Sequence, residues 1–183
     1  MPSKESGVRY RLEGYLFPAT YGYGKDSKME DLVDQMLAAM DQNLSAYYDT
    51  MEAKNIDVNE ALTLASLIEK EGATDKDRKD IASVFYNRLN QDMPLQSNIA
   101  ILYAQGQLGK KTTLKEDATI DTNIDSPYNI YKNTGLMPGP VDSPGLSAIE
   151  AAVNPSKTDY LYFVANVETG EVYFAKTFEE HTK

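Results

Sequence analysis

Hydrophobic positions recur at helical spacing from Met29 onward, through Leu32, Val33, Met36, Leu37, Met40, Leu44 and Tyr47. This period predicts a long amphipathic helix to about residue 53, with Glu30, Asp31, Asp34 and Asp41 on its outer face. The methionine stripe reads as core packing. A second helix is predicted through VNEALTLASLIEKE. Asp57 caps it, Glu60 completes a capping box, and the helix stops near Gly72. A third begins near Asp75 and puts Ile81, Val84, Phe85 and Leu89 on one face. Shorter helices are expected around Ser97 to Tyr103 and in SAIEAAVNP, the latter with Ser147 and Glu150 as a capping box and Pro155 past its end.

The remaining stretches lack that period. Residues 1 to 28, with the aromatic EGYLFPATYGYG, read as extended or loop structure. Residues 106 to 146 are rich in Pro, Gly, Asn and Asp, yet hold Ile124, Tyr128, Ile130, Tyr131 and Leu136, which predicts an ordered loop lining something. DYLYFVANVETGEVYFAKT predicts two strands, about 159–166 and 171–176, turning at Thr169-Gly170. The expected fold class is α+β: a helical bundle around a central helix, with small β elements and a C-terminal β-hairpin.

That central helix poses the chemical question. On a wheel of about 100° per residue, Asn59, Thr63, Ser66 and Lys70 form one polar stripe, with Ala61, Leu64, Ala65 and Ile68 roughly opposite. Glu69 lies on one flank and Glu71 on the other. Two carboxylates in a last turn oppose the helix dipole, at a cost of several tenths of a kcal/mol. Either they are solvated end residues or one is a working acid at the edge of the core, where apolar neighbours raise a carboxyl's pKa. The wheel does not choose between them.

Composition narrows the chemistry. The 183-residue chain carries a net charge of −10 and its densest basic stretch is Lys110-Lys111, which argues against a nucleic-acid surface or tight binding to anionic lipid. It has no cysteine and one histidine, His181, so thiolate sites, cysteine nucleophiles, histidine triads and multi-histidine zinc sites are excluded or disfavoured. No run of about 18 apolar residues is present, so no spanning helix is expected. The opening MPSKESGVRYRLEGY has no signal-peptide pattern and reads as a start inside a longer protein. Carboxylates, hydroxyls, amides and tyrosines are left to do the work.

Several groups of that kind are available. VFYNRL puts Asn87 and Arg88 on the third helix, where surface positions are the ordinary reading. MPLQSN supplies Gln96, Ser97 and Asn98 near a helix start, where Ser and Asn are ordinary caps. SPYNIY supplies Tyr128, Asn129 and Tyr131, the flat faces and amides that a sugar ring needs. Asp117, Asp121 and Asp125 match no calcium-loop pattern, and no metal site or cofactor is expected.

In series, LEGYLFPATY, LASLIEKEG, VFYNRL, MPLQS, SPYNIY, GLMPGPVDSPG, AIEAAVNP, DYLYFVA and KTFEEH resemble the catalytic domain of the YceG-like family of endolytic murein transglycosylases. The resemblance covers about Leu12 to His181. It implies a catalytic domain over residues 12–183 after a linker of residues 1–11, with the family's membrane anchor and LysM-like region absent. It also implies an endolytic lytic transglycosylase, cutting the β-1,4 bond between N-acetylmuramic acid and N-acetylglucosamine within glycan strands and leaving 1,6-anhydro ends. The implied catalytic residue is Glu69, the first acid of E-K-E, acting as general acid and then base. Glu71, Asn87, Arg88, Gln96, Ser97, Asn98, Tyr128 and Asn129 are implied as supporting or substrate-binding residues. Asn98 stands where the family commonly has Asp, and keeps a hydrogen bond but no charge. No cofactor is implied. The implied partners are glycan strands, with the cell-wall synthesis machinery as a further candidate and a membrane only through an anchor outside this segment. The implied location is the outer face of the cytoplasmic membrane. Two other functions fit the residues: a non-catalytic glycan-binding module, and a muramidase-type hydrolase using Asp121 or Asp125 as second carboxylate.

Overall fold

Helix α3, Val58–Glu71, forms the centre of the molecule, with every residue from Ala61 to Ile68 buried. The computed structural model describes residues 7–72, 74–109, 120–166 and 169–183. Asp57 accepts from the Glu60 N–H at 2.8 Å and Glu60 accepts from the Asp57 N–H at 2.9 Å, so the capping box forms as expected. α4, Asp75–Leu89, starts on a second capping box between Thr74 and Asp77 and buries Ile81, Val84 and Phe85. α6, Leu146–Val153, packs across both α3 and α4 and closes the core with Ala148, Ile149, Ala151 and Ala152.

The polar stripe of α3 is covered by the Pro- and Gly-rich loop. Asn59 Nδ2 donates to the Pro138 carbonyl at 3.1 Å, and the Val141 N–H donates to Ser66 Oγ at 3.0 Å. Lys70 pairs with Asp142 at 2.6 Å. A loop without periodic hydrogen bonding needs side-chain partners for its backbone, and the stripe supplies them.

Around this centre lie α1 (Met29–Leu44), a 3₁₀ turn (Ser45–Tyr47), α2 (Tyr48–Ala53) and α5 (Asn98–Ala104). The expected single helix to residue 53 is thus broken after Leu44. Of the methionine stripe, Met40 is buried at the far end of α1, whereas Met29 stays 59% exposed. The helix in SAIEAAVNP forms, but not on the expected cap. Gly145 is its N-cap with no side-chain bond; Ser147 Oγ instead donates to Asp75, and Glu150 pairs with Lys79 at 3.2 Å. Tertiary ionic partners outcompete a local cap here.

The sheet is one antiparallel hairpin, β1 (Tyr162–Ala165) and β2 (Val172–Ala175), with Tyr162 opposite Ala175 and Ala165 opposite Val172. Both strands are shorter than expected. A further short helix, α7 (Phe178–His181), follows on a Thr177–Glu180 capping box. The T-x-x-E pattern was available in the sequence to announce it. The fold class is α+β, as expected. Within the expected linker, Arg9 is docked on the domain, donating to the Tyr103 carbonyl at 2.7 Å. Residues 110–119, including Asp117, lie outside the described residues.

Candidate active site

Glu69 and Glu71 are two residues apart on a helix, hence about 200° apart around it, and only one of them can face a given cleft. The structure settles which side each takes. A cavity of about 740 Å³ opens beyond the C-terminal end of α3, and Glu71 lines it. Glu69 does not. Its carboxylate turns to the other flank, where Arg78 Nη2 lies 3.4 Å from Oε1 and the Gly145 N–H donates to Oε2 at 3.1 Å. Arg78 also reaches Asp75 and Ser147. Glu69 thereby ties the end of α3 to the starts of α4 and α6. Gly72 lets this happen, because a Cβ there would sit 2.6 Å from Arg78 Cγ. The expectation that Glu69 is the acid facing the cleft therefore meets a different geometry, in which the second acid of E-K-E has that place.

Glu71 is held from the neighbouring helix. Ser97 is the N-cap of α5, accepting from the Ile99 N–H at 3.2 Å, and its hydroxyl donates to Glu71 Oε1 at 2.7 Å. Asn98 Oδ1 accepts from the Tyr131 hydroxyl at 2.7 Å, and both residues line the cavity. Burial raises the Tyr131 phenol above its ordinary value; the nearby Glu71 charge pushes the same way and Arg88 the other. An uncharged phenol remains a donor, and here it orients the Asn98 amide.

Arg88 is 7% exposed, not the surface residue that its position alone suggested. Its Nε donates to the Leu161 carbonyl at 2.7 Å, and its Nη1 to the Pro94 and Leu95 carbonyls at 3.1 and 2.9 Å. Nη1 also meets Gln96 Oε1 at 3.3 Å, and the guanidinium lies 5.2 Å from the Tyr162 ring centre. Burial lowers its pKa, with Tyr162 and Tyr131 opposing. Gln96 lines the cavity at a positive φ of 57°, a backbone state uncommon outside glycine, and its N–H donates to the Ile130 carbonyl at 3.0 Å.

Three expected residues hold structure rather than line the cavity. Asn87 Nδ2 donates to the Thr158 and Tyr160 carbonyls at 3.0 and 2.9 Å, fixing the approach to β1. Asn129, 1% exposed, donates to the Thr122 and Ile124 carbonyls and accepts from the Tyr131 N–H at 3.1 Å. Tyr128 is buried against Tyr103, with ring centres 4.9 Å apart. Of the SPYNIY residues it is Tyr131 that reaches the cleft. The part of the lining from Tyr162, Phe163, Val164, Phe178 and His181 was not anticipated as a site.

Glu71 is the one carboxylate lining this cavity among the described residues. Asp121 and Asp125 are exposed and lie outside it. No group of three or more acidic or histidine residues among the described residues is arranged to hold a metal ion, and no helix there is long and apolar enough to cross a membrane.

Fold and cavity define a class: an α+β domain presenting one carboxylate, at the end of a buried helix, to a cleft of amide, hydroxyl and aromatic groups. The YceG-like family model matches residues 2–183, and the chain belongs to that family. It is 66% identical over 183 residues to the endolytic murein transglycosylase of Streptococcus pneumoniae, covering all of this chain and 33% of that protein. It is 48% identical over 177 residues to the protein of the same description from Bacillus subtilis, covering 96% of this chain and 48% of that protein. The crystal structure of a YceG-like protein from Listeria monocytogenes superposes with a TM-score of 0.87 at 49% identity, over 96% of this chain and 56% of that one. The chain thus spans one third to about one half of the length of these curated relatives.

Proposed function

We propose that this domain is an endolytic lytic transglycosylase, cleaving the β-1,4 bond between N-acetylmuramic acid and N-acetylglucosamine inside peptidoglycan strands, with Glu71 as the acid-base residue. The observation that carries the reading is the single carboxylate in the cleft. A glycosidase that admits water ordinarily needs two carboxyl groups flanking the bond. A transglycosylase needs one, used twice. Protonated Glu71 gives its proton to the glycosidic oxygen as the bond from that oxygen to the muramic C1 breaks. The resulting carboxylate takes the proton of the muramic 6-hydroxyl as O6 bonds to C1. No water is consumed, and Glu71 ends as it began.

The remaining roles follow from contacts. Ser97 holds Glu71 by its Oε1. Gln96, Asn98 and Tyr131 offer hydrogen bonds to the sugar where charge develops at C1. Glu69 is a positioning residue that braces the helix end carrying Glu71. Asn87, Tyr128 and Asn129 support the walls. The names of the relatives support the substrate class. On the same reading the domain occupies residues 12–183, works at the outer face of the cytoplasmic membrane beside the cell-wall synthesis machinery, and reaches the membrane only through a part of the protein outside this segment.

The test is mass spectrometry of purified glycan strands incubated with wild type, Glu71→Gln and Glu69→Gln. Internal fragments one water lighter than hydrolysis products, made by wild type and lost in Glu71→Gln, are expected. Reducing ends would replace this reading with hydrolysis. Activity surviving in Glu71→Gln but absent in Glu69→Gln would return the acid role to Glu69.

A further inference from the structure

The hairpin and the helix after it bring the rings of Tyr162, Phe163, Phe178 and His181 to the cavity that Glu71 lines. Tyr162 and His181 stack with centres 5.4 Å apart and planes 27° apart. Phe178 lies 5.9 Å from Tyr162 and 6.3 Å from His181. All three line the same cavity as Glu71. A lone exposed aromatic residue means little. Here Phe178 is 64% exposed and Val164, which lines the same cavity, is 49% exposed, so apolar surface is left uncovered around one cavity.

The wall is also held in place. α7 has only four residues, yet Thr177 Oγ1 accepts from the Glu180 N–H at 3.2 Å, and Glu180 Oε2 accepts from the Lys176 N–H at 3.0 Å. Arg88 joins Tyr162 to the loop that leads into Ser97. The rings and the acid are therefore parts of one frame.

We infer that Phe178 and His181, backed by the Tyr162 ring, form a sugar-stacking subsite continuous with the Glu71 cleft, taking the apolar face of one N-acetylhexosamine unit of the strand. The inference rests on the glycan-cleaving reading above and extends it to where the strand lies. A pyranose has one face of axial C–H groups, polarised positive, which suits the negative face of an aromatic ring. Its hydroxyl and acetamido edges need donors and acceptors, and the cleft supplies them from Gln96, Asn98 and Tyr131.

The experiment measures KM and kcat on glycan strands, with and without stem peptides, for wild type, Phe178→Ala, Phe178→Tyr and His181→Ala. Phe178 is exposed, so its removal leaves the core intact. Phe178→Ala is expected to raise KM about tenfold on both substrates with kcat little changed, and Phe178→Tyr to restore it. His181→Ala should act in the same direction. KM within about twofold of wild type on strands that wild type cleaves would overturn the subsite while leaving the activity standing. A KM rise confined to strands bearing stem peptides would assign the wall to peptide instead. Failure of wild type to bind or cleave either strand would overturn the function and the subsite together.

Discussion

The Ser97 hydroxyl donates to Glu71 Oε1 at 2.7 Å while its oxygen accepts from the Ile99 N–H at 3.2 Å. One side chain thus caps α5 and aims the acid, and two substitutions separate these duties. Glycine is nearly as good an N-cap as serine, whereas alanine costs about 1 kcal/mol. Ser97→Gly and Ser97→Ala should both lose roughly tenfold in kcat, equal to about 1.4 kcal/mol of transition-state stabilisation. Only Ser97→Ala should also lose about 1 kcal/mol in urea unfolding. Full activity in Ser97→Gly would show that the contact with Glu71 is idle.

Glu69 and Arg78 make the opposite case, a pair whose loss should register in stability. The two side chains are 27% and 17% exposed, and Glu69 also accepts from Gly145. Glu69→Ala should cost about 1–3 kcal/mol, because it takes one of its partners from the largely buried guanidinium and the acceptor from the Gly145 N–H. Glu69→Gln should recover part of that through the Gly145 bond. A double-mutant cycle with Arg78→Ala should give a coupling of about 0.5–3 kcal/mol. Glu71→Gln, by contrast, should abolish turnover at near wild-type stability.

The elements legible in the sequence are those decided locally. The Asp57–Glu60 box starts α3 where the pattern placed it, and the apolar run from Ala61 to Ile68 is buried throughout. Ser147 and Glu150 show the same local pattern and fail, since Asp75 and Lys79 reach them first. The flank that each of Glu69 and Glu71 takes was not legible for a related reason. A wheel gives angles around α3, but which flank is covered depends on where Gly145 and Arg78 arrive from distant parts of the chain. Residue type misled at Asn129 and Tyr128, whose polar groups serve the backbone of their own loop and of residue 9. Tyr131, two positions on, carries the outward role.

Gly14 adopts φ +82°, and a Cβ there would overlap the Pro140 ring. The adjacent Tyr15 hydroxyl bonds to Asn59, so this turn seats the N-terminal segment on α3. Gly14→Ala should cost about 2 kcal/mol or more, from the left-handed backbone and the clash together. Equilibrium denaturation measures it. The same change at Gly135, where φ is +83° but nothing lies within 4 Å, should cost less.

Glu13 gives stability a pH dependence. Burial raises its carboxyl above the ordinary value, Asp142 adds to this, and Tyr103 and Arg9 pull the other way. A folded state that holds the proton more tightly than the unfolded chain loses stability as pH rises from the unfolded value through the raised one. Glu13→Gln should therefore be more stable than wild type at neutral pH. The difference should vanish below about pH 4, the ordinary carboxyl range. Urea midpoints at two pH values check it, and an equal shift at both would rule out titration of Glu13 as the cause.

Arg88 donates at once to carbonyls of the loop beside Glu71 and to the chain entering the aromatic hairpin. It therefore works as a strut between the two, and together with Asn87, which holds the chain just before β1, it sets how far the rings stand from the loop beside Glu71. A planar fork sets such a distance; the flexible point charge of a lysine does not. The spacing of the cavity walls is thus built into the fold by hydrogen bonds that need no ligand to form them.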